Sequence, residues 1–133
     1  MTNRPVFDFL SRWGPALVLM AVIFAASATP GEDLPNAGAW DTLLKKGGHL
    51  LGYALLGVAY LRGLAGRRRP TVRVVGAAIL LAALYAGSDE LHQRSTPGRS
   101  PSLTDVGIDT LGAVMGAGLR GRWGRRAGAT GRT

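Results

Sequence analysis

Four long apolar segments constrain the fold of this chain more than any other feature. They comprise residues 13–28, 49–64, 72–87 and 103–119, and each is 16 or 17 residues long. A helix that crosses a bilayer needs about 17–25 predominantly apolar residues, and flanking residues such as Leu10 and Leu43 extend the first two segments. The pattern predicts an all-α, polytopic membrane protein with four transmembrane helices.

Composition excludes several other classes of protein. The chain has no cysteine, which rules out disulfide frameworks, thiolate zinc sites and cysteine catalysis. Hydrophobic residues make up 47% of it, whereas disordered chains are poor in them. A soluble four-helix domain is the main alternative, but it would need helices with almost no polar face, so we favour the membrane interpretation.

The first apolar segment also resembles a secretory signal peptide. Arg4 and Arg12 precede most of it, and Ala26-Ser27-Ala28 fits a small-residue cleavage pattern. The apolar stretch is long for a signal peptide, however, and Asp8 dilutes the basic flank. We therefore expect the segment to remain as a membrane helix.

The distribution of positive charge predicts the orientation. Of the 16 lysines and arginines, 12 lie before the first segment, around the second connection or after the fourth segment. Because positive charge is retained in the cytoplasm, we expect both termini to be cytoplasmic. The predicted organisation is a cytoplasmic N-terminus (1–12), a four-helix membrane domain (13–119) and a basic cytoplasmic tail (120–133) that is disordered or lies on the membrane surface. We expect the tail to bind anionic lipid rather than nucleic acid.

Most side chains that are capable of chemistry fall on the predicted outer side. Lys46, His49 and Tyr53 share one stripe of the second helix at helical spacing. A carboxylate inside a membrane helix costs about 2.5–3.5 kcal/mol unless it is paired, so Asp109 needs a partner. The candidate partners are Lys46, His49 and Arg99.

Glycine spacing and a polar connection complete the pattern. Gly112-x-x-x-Gly116 and Gly48-x-x-x-Gly52 are motifs of close helix packing. We expect the connection after the third segment to form a polar loop. It contributes Asp89, Glu90, His92, Gln93 and Arg99.

These residues form motifs that resemble the signature of the VanZ-like family. The motifs are Ser27-x-x-Pro30, Lys46-x-x-His49-x-x-x-Tyr53-x-x-Leu56-Gly57, Asp89-Glu90-x-His92-Gln93, Pro97-Gly98-Arg99 and Asp105-x-x-x-Asp109-x-x-Gly112. The resemblance covers about residues 13–119. It implies a small four-helix protein of the bacterial cytoplasmic membrane, with a founding type associated with resistance to the lipoglycopeptide teicoplanin, but it implies no particular reaction.

Two classes of function fit these residues. In the first, the protein binds or modifies an envelope lipid or lipid-linked precursor at the outer leaflet, as a hydrolase or transferase with a histidine as general base or nucleophile. The candidate catalytic residues, whose carboxylates also offer oxygen ligands to a divalent cation, are His49, Asp109, Asp105, Glu90, Asp89 and His92. The candidate substrate-binding residues are Lys46, Tyr53, Gln93 and Arg99. In the second class, the charged network is structural or binds a lipid or lipoglycopeptide without turnover.

The predicted orientation can be tested with single cysteines, since the chain has none of its own. We expect a membrane-impermeant thiol reagent to label Asn36→Cys and Gln93→Cys in intact cells, but not Arg68→Cys or Arg125→Cys. Labelling at position 68 without labelling at position 93 would reverse the orientation.

Overall fold

The structure is a computed structural model that describes residues 4–30 and 38–127. These residues form four helices, α1 (Arg4–Ala28), α2 (Ala39–Ala65), α3 (Val72–Gln93) and α4 (Leu103–Arg126). The all-α prediction is therefore confirmed, and each predicted apolar segment lies within one helix. Two of the described helices, α1 and α3, are long and apolar enough to cross a membrane. The topology probe at Asn36 and residues 128–133 of the basic tail lie outside the described residues.

Two helices continue beyond the ends that the sequence analysis predicts. Residues 88–93, which we expected in a loop, form the last turns of α3, and residues 120–126, which we expected to be disordered or on the membrane surface, belong to α4. The predictions of a loop at 88–93 and of disorder at 120–126 were wrong because no proline lies within either continuation, and α4 accommodates Gly121 and Gly124. Pro97 and Gly98 come only after α3 has ended, and Arg125 and Arg126 interact favourably with the C-terminal dipole of α4.

The contact between α2 and α4 is a backbone contact. A β-carbon built on Gly112 or Gly116 would lie within 3.0 Å of the carbonyl oxygen of Leu50 or Ala54, respectively. The predicted close packing on α4 is therefore confirmed. The predicted motif on α2 is wrong, since Gly48 faces open space within 4 Å and Gly52 faces Ile23 of α1.

Small residues fill the interior, and large apolar residues cover the outside. Three alanines of α3 and two of α4 are completely buried: Ala78, Ala82, Ala86, Ala113 and Ala117. In contrast, Phe7 is 73% exposed and Leu84 is 63% exposed. Interfaces of small residues are typical of helices that associate in lipid, and an extensive apolar exterior indicates an apolar environment or a partner surface.

Two arginines attach α1 to α2 at the end of the bundle where α2 finishes. Pro15 lies inside α1 and has no N–H group, so it leaves the carbonyl oxygen of Ser11 without its helical hydrogen bond. Arg62 donates a hydrogen bond to this oxygen at 3.0 Å. Arg12 donates in the opposite direction, to the carbonyl oxygen of Gly63 at 2.7 Å.

We call the contact of Gly112 and Gly116 with the main chain of α2 the glycine seam. It predicts that two alanine substitutions on α4 differ in their effect on stability. Gly116→Ala places a methyl group against the main chain of Ala54, and such overpacking costs about 1–3 kcal/mol. Gly118 has nothing within 4 Å, so Gly118→Ala serves as the matched control. We expect thermal unfolding of the purified protein to shift to lower temperature for Gly116→Ala only. Equal melting temperatures for the two variants would contradict the close packing of Gly116 on α2.

Candidate functional site

A cavity of about 530 Å³ lies at the end of the bundle where α2 and α4 begin and α3 ends. We call it the polar pocket. It is lined by Thr42, Lys45, Lys46, His49, Glu90, Gln93, Gly98, Arg99, Ser100, Ser102, Asp105, Ile108 and Asp109. Three helices and the α3–α4 connection therefore converge on one cavity, and seven of the ten predicted site residues line it.

His49 and Asp109 form the centre of the polar pocket. Nδ1 of His49 lies 3.5 Å from Oδ1 of Asp109, and the Asp109 side chain is only 1% exposed. Neither carboxylate oxygen of Asp109 has a hydrogen-bond partner among the described residues. Of the three predicted partners, His49 is therefore the one that lies next to Asp109. Both carboxylate oxygens of Asp109 can still accept a hydrogen bond from a further donor.

The other carboxylates of the pocket have partners that hold α4 in place. Ser102 is the N-cap of α4, with its hydroxyl oxygen accepting from the backbone N–H of Asp105 at 3.2 Å. Glu90 of α3 accepts from the backbone N–H of Ser102 at 3.0 Å. Lys46 of α2 lies 3.6 Å from Oδ1 of Asp105. Glu90 and Asp105 therefore fix the start of α4 between α3 and α2.

Asp89 lies behind the pocket in a buried network between α1 and α3. The hydroxyl of Ser27 donates to Oδ2 of Asp89 at 2.6 Å, and Nε2 of Gln93 donates to the Ser27 hydroxyl oxygen at 3.1 Å. Asp89 is only 3% exposed and does not line the pocket. Its contacts therefore position Gln93, which does line it.

Arg99 caps α1. Its guanidinium group donates to the carbonyl oxygens of Ala26 and Thr29, at 2.9 Å and 3.2 Å. The last carbonyl groups of a helix have no partner within the helix, and a positive charge there is favourable. Arg99 thus secures the α3–α4 connection against α1 while it lines the pocket.

In addition to Asp89, two predicted site residues lie outside the pocket lining. The ring of His92 stacks on Phe24, with centroids 4.5 Å apart, on the α1 side of α3. Tyr53 is completely buried, its ring centroid 6.3 Å from that of His49. The structure therefore does not bring His92 or Tyr53 to the surface that a ligand in the pocket would contact.

Lys45, Ser102 and Ser27 are among the residues of this region that were not predicted as site residues. Lys45 and Ser102 line the pocket, and Ser27 is central to the buried network. Ser102-x-x-Asp105 has the spacing of a capping motif, so Ser102 could have been recognised. Ser27 belongs to the Ser27-x-x-Pro30 motif, but the motif alone assigns it no role, because a serine in an apolar helix is as often an ordinary packing residue.

Metal binding receives no geometric support from the carboxylates. Across residues 4–30 and 38–127, no group of three or more histidine, aspartate or glutamate side chains is arranged to hold a metal ion. Lys45 forms an ion pair with Asp41, one turn earlier in α2, and the other charged side chains of the pocket have the contacts described above.

Comparison with known proteins assigns a family. The VanZ/LLP1 family matches residues 12–121, which include every residue that lines the polar pocket. No curated protein and no solved structure matches the chain. Since the matched region covers most of the sequence and all four helices, the protein belongs to the VanZ/LLP1 family.

Proposed function

We propose that the protein spans the bacterial cytoplasmic membrane with all four helices and has both termini in the cytoplasm. The described arginines of the predicted cytoplasmic side support this. They lie in the first half of α1, at the end of α2, in the α2–α3 connection, at the start of α3 and in the last turns of α4, at the end of the bundle opposite the polar pocket. The pocket then opens at the outer face. Because Gln93 is buried, Ser100→Cys is the better external probe for the thiol-labelling experiment.

The polar pocket, in this proposal, binds the phosphorylated head group of an envelope lipid or lipid-linked precursor. The observation that carries the proposal is the position of Lys45, Lys46 and Arg99 around the His49–Asp109 pair in one cavity. Cationic side chains bind phosphate through charge-assisted hydrogen bonds. The volume of about 530 Å³ is in the range of small-molecule sites.

His49 is the general base of the proposed reaction. Asp109 faces Nδ1 and thereby orients the imidazole ring, leaving Nε2 for proton exchange. In a hydrolysis, Nε2 takes a proton from water, the water oxygen bonds to phosphorus, and the phosphorus–oxygen bond to the lipid breaks. His49 then returns the proton to the departing oxygen.

A role without turnover is the second candidate function. It is supported by the contacts of Glu90, Asp105 and Arg99, each of which joins separate elements of the bundle. Such a protein would hold a lipid head group or lipoglycopeptide in the pocket and leave it unchanged. A contribution to teicoplanin resistance is compatible with either candidate.

Paired histidine substitutions distinguish these two candidates. Purified protein in lipid nanodiscs is supplied with phosphatidic acid or a polyprenyl diphosphate, with and without Mg²⁺, and released phosphate is measured. We expect His49→Gln to lower the rate about 10²–10⁴-fold, the usual contribution of a general base. His92→Gln, the matched control on Phe24, should retain the wild-type rate. Full phosphate release by His49→Gln would contradict the role of His49 as general base, whereas binding of the lipid without phosphate release by the wild-type protein would leave binding without turnover.

Asp109→Asn should separate activity from stability. The buried carboxylate of Asp109 has no hydrogen-bond partner among the described residues, so its burial is poorly compensated. We expect the neutral amide to keep or raise the melting temperature while activity is lost. Asp8→Asn on the exposed start of α1 should change neither quantity. Loss of stability with retained activity would show that Asp109 is structural.

A further inference from the structure

A second cavity, of about 270 Å³, lies between the end of α3 and the start of α4. We call it the lateral groove. It is lined by Gly87, Glu90, Leu91, Arg94, Pro101, Ser102, Leu103 and Val106. Most of these residues are apolar, in contrast to the lining of the polar pocket.

The lateral groove and the polar pocket share a wall. Glu90 and Ser102 line both cavities, and Oε2 of Glu90 accepts a hydrogen bond from the backbone N–H of Ser102 at 3.0 Å. One hydrogen-bonded pair therefore separates the two cavities. A ligand that extends past this pair would therefore contact both cavities.

The lateral groove has an exposed apolar surface, because no other side chain of the described residues covers its leucines. Leu91 is 63% exposed and Leu103 is 91% exposed, although both line the cavity. Exposed leucines on both sides of a groove favour an apolar occupant. Arg94 is the only basic residue of this lining, and it follows α3 at the same end as the polar pocket.

We propose that the lateral groove holds the hydrocarbon chain of the lipid whose phosphorylated head group occupies the polar pocket. The head lies near Lys46 and His49, and the chain leaves between α3 and α4 past the Glu90–Ser102 pair. This inference rests on the proposed function, because it assigns the two ends of one ligand to two adjoining cavities. It makes the ligand a lipid with a phosphorylated head rather than a free phosphate ester.

Gly87 provides a selective way to fill the groove. A β-carbon on Gly87 meets nothing within 4 Å, so Gly87→Leu can occupy the groove without displacing the backbone. Gly76 also faces open space within 4 Å. It lies on the same face of α3, three helical turns away and outside the groove, so Gly76→Leu is the matched control.

Two probes test binding of the hydrocarbon chain in the groove and binding of the phosphate in the pocket separately. The first is phosphatidic acid with a photoreactive diazirine in its acyl chain, presented in nanodiscs and crosslinked to the protein. The second is glycerol 3-phosphate, which carries the phosphate without a chain. We expect wild-type adducts concentrated in residues 87–106. For Gly87→Leu we expect about tenfold weaker phosphatidic acid binding, equivalent to the loss of roughly two buried methylene groups, and unchanged glycerol 3-phosphate binding.

Each result either supports or overturns the inference. Normal behaviour of Gly76→Leu alongside weakened lipid binding of Gly87→Leu supports it. Adducts that spread equally over the exposed residues of α1 would overturn the assignment of the hydrocarbon chain to the groove. Lipid binding that Gly87→Leu does not change would do the same. Both results would leave the proposed head-group site intact. Failure of the wild-type protein to bind either probe would instead overturn the proposed function, and the groove with it.

Discussion

α4 packs on the main chain of α2 because Gly112 and Gly116 have no side chain. The rest of the site depends on this contact. One turn before Gly112, it brings Asp109 to 3.5 Å from His49, and one turn earlier it brings Asp105 to 3.6 Å from Lys46. A larger residue at either glycine would move α4 outward and separate both pairs, although neither glycine contacts a ligand.

The polar side chains of the bundle differ in how many of their hydrogen-bonding atoms have a partner. Glu90 holds the start of α4, Arg99 caps α1, and Asp89 joins Ser27 to Gln93. These contacts give the three residues a structural role, because each contact joins two elements of the bundle. Asp109 differs from them in degree, because neither oxygen of its buried carboxylate has a hydrogen bond within the described residues, whereas in Asp89 only Oδ1 lacks one. A buried polar group that lacks a partner lowers stability, and such groups are concentrated where function requires them.

The distribution of residue size agrees with a lipid environment around this site. Alanines and glycines make many of the helix contacts, while most leucines and all three phenylalanines lie on the exterior. Association of helices in lipid cannot depend on the burial of apolar surface and depends instead on close packing. The same arrangement leaves Leu91 and Leu103 exposed beside the polar pocket. The proposed ligand, a lipid with a charged head and an apolar chain, would contact both surfaces.

The sequence by itself determined the four helices, the starts of α3 at Val72 and α4 at Leu103, and the need of Asp109 for a partner. These follow from the length of apolar segments and from the cost of a lone carboxylate among them, which are local properties. Only the tertiary structure decided that this partner is His49, that His92 turns toward Phe24 and that Arg99 reaches α1. The helical repeat fixes which residues share a face, but distances between helices depend on backbone packing that no single segment encodes.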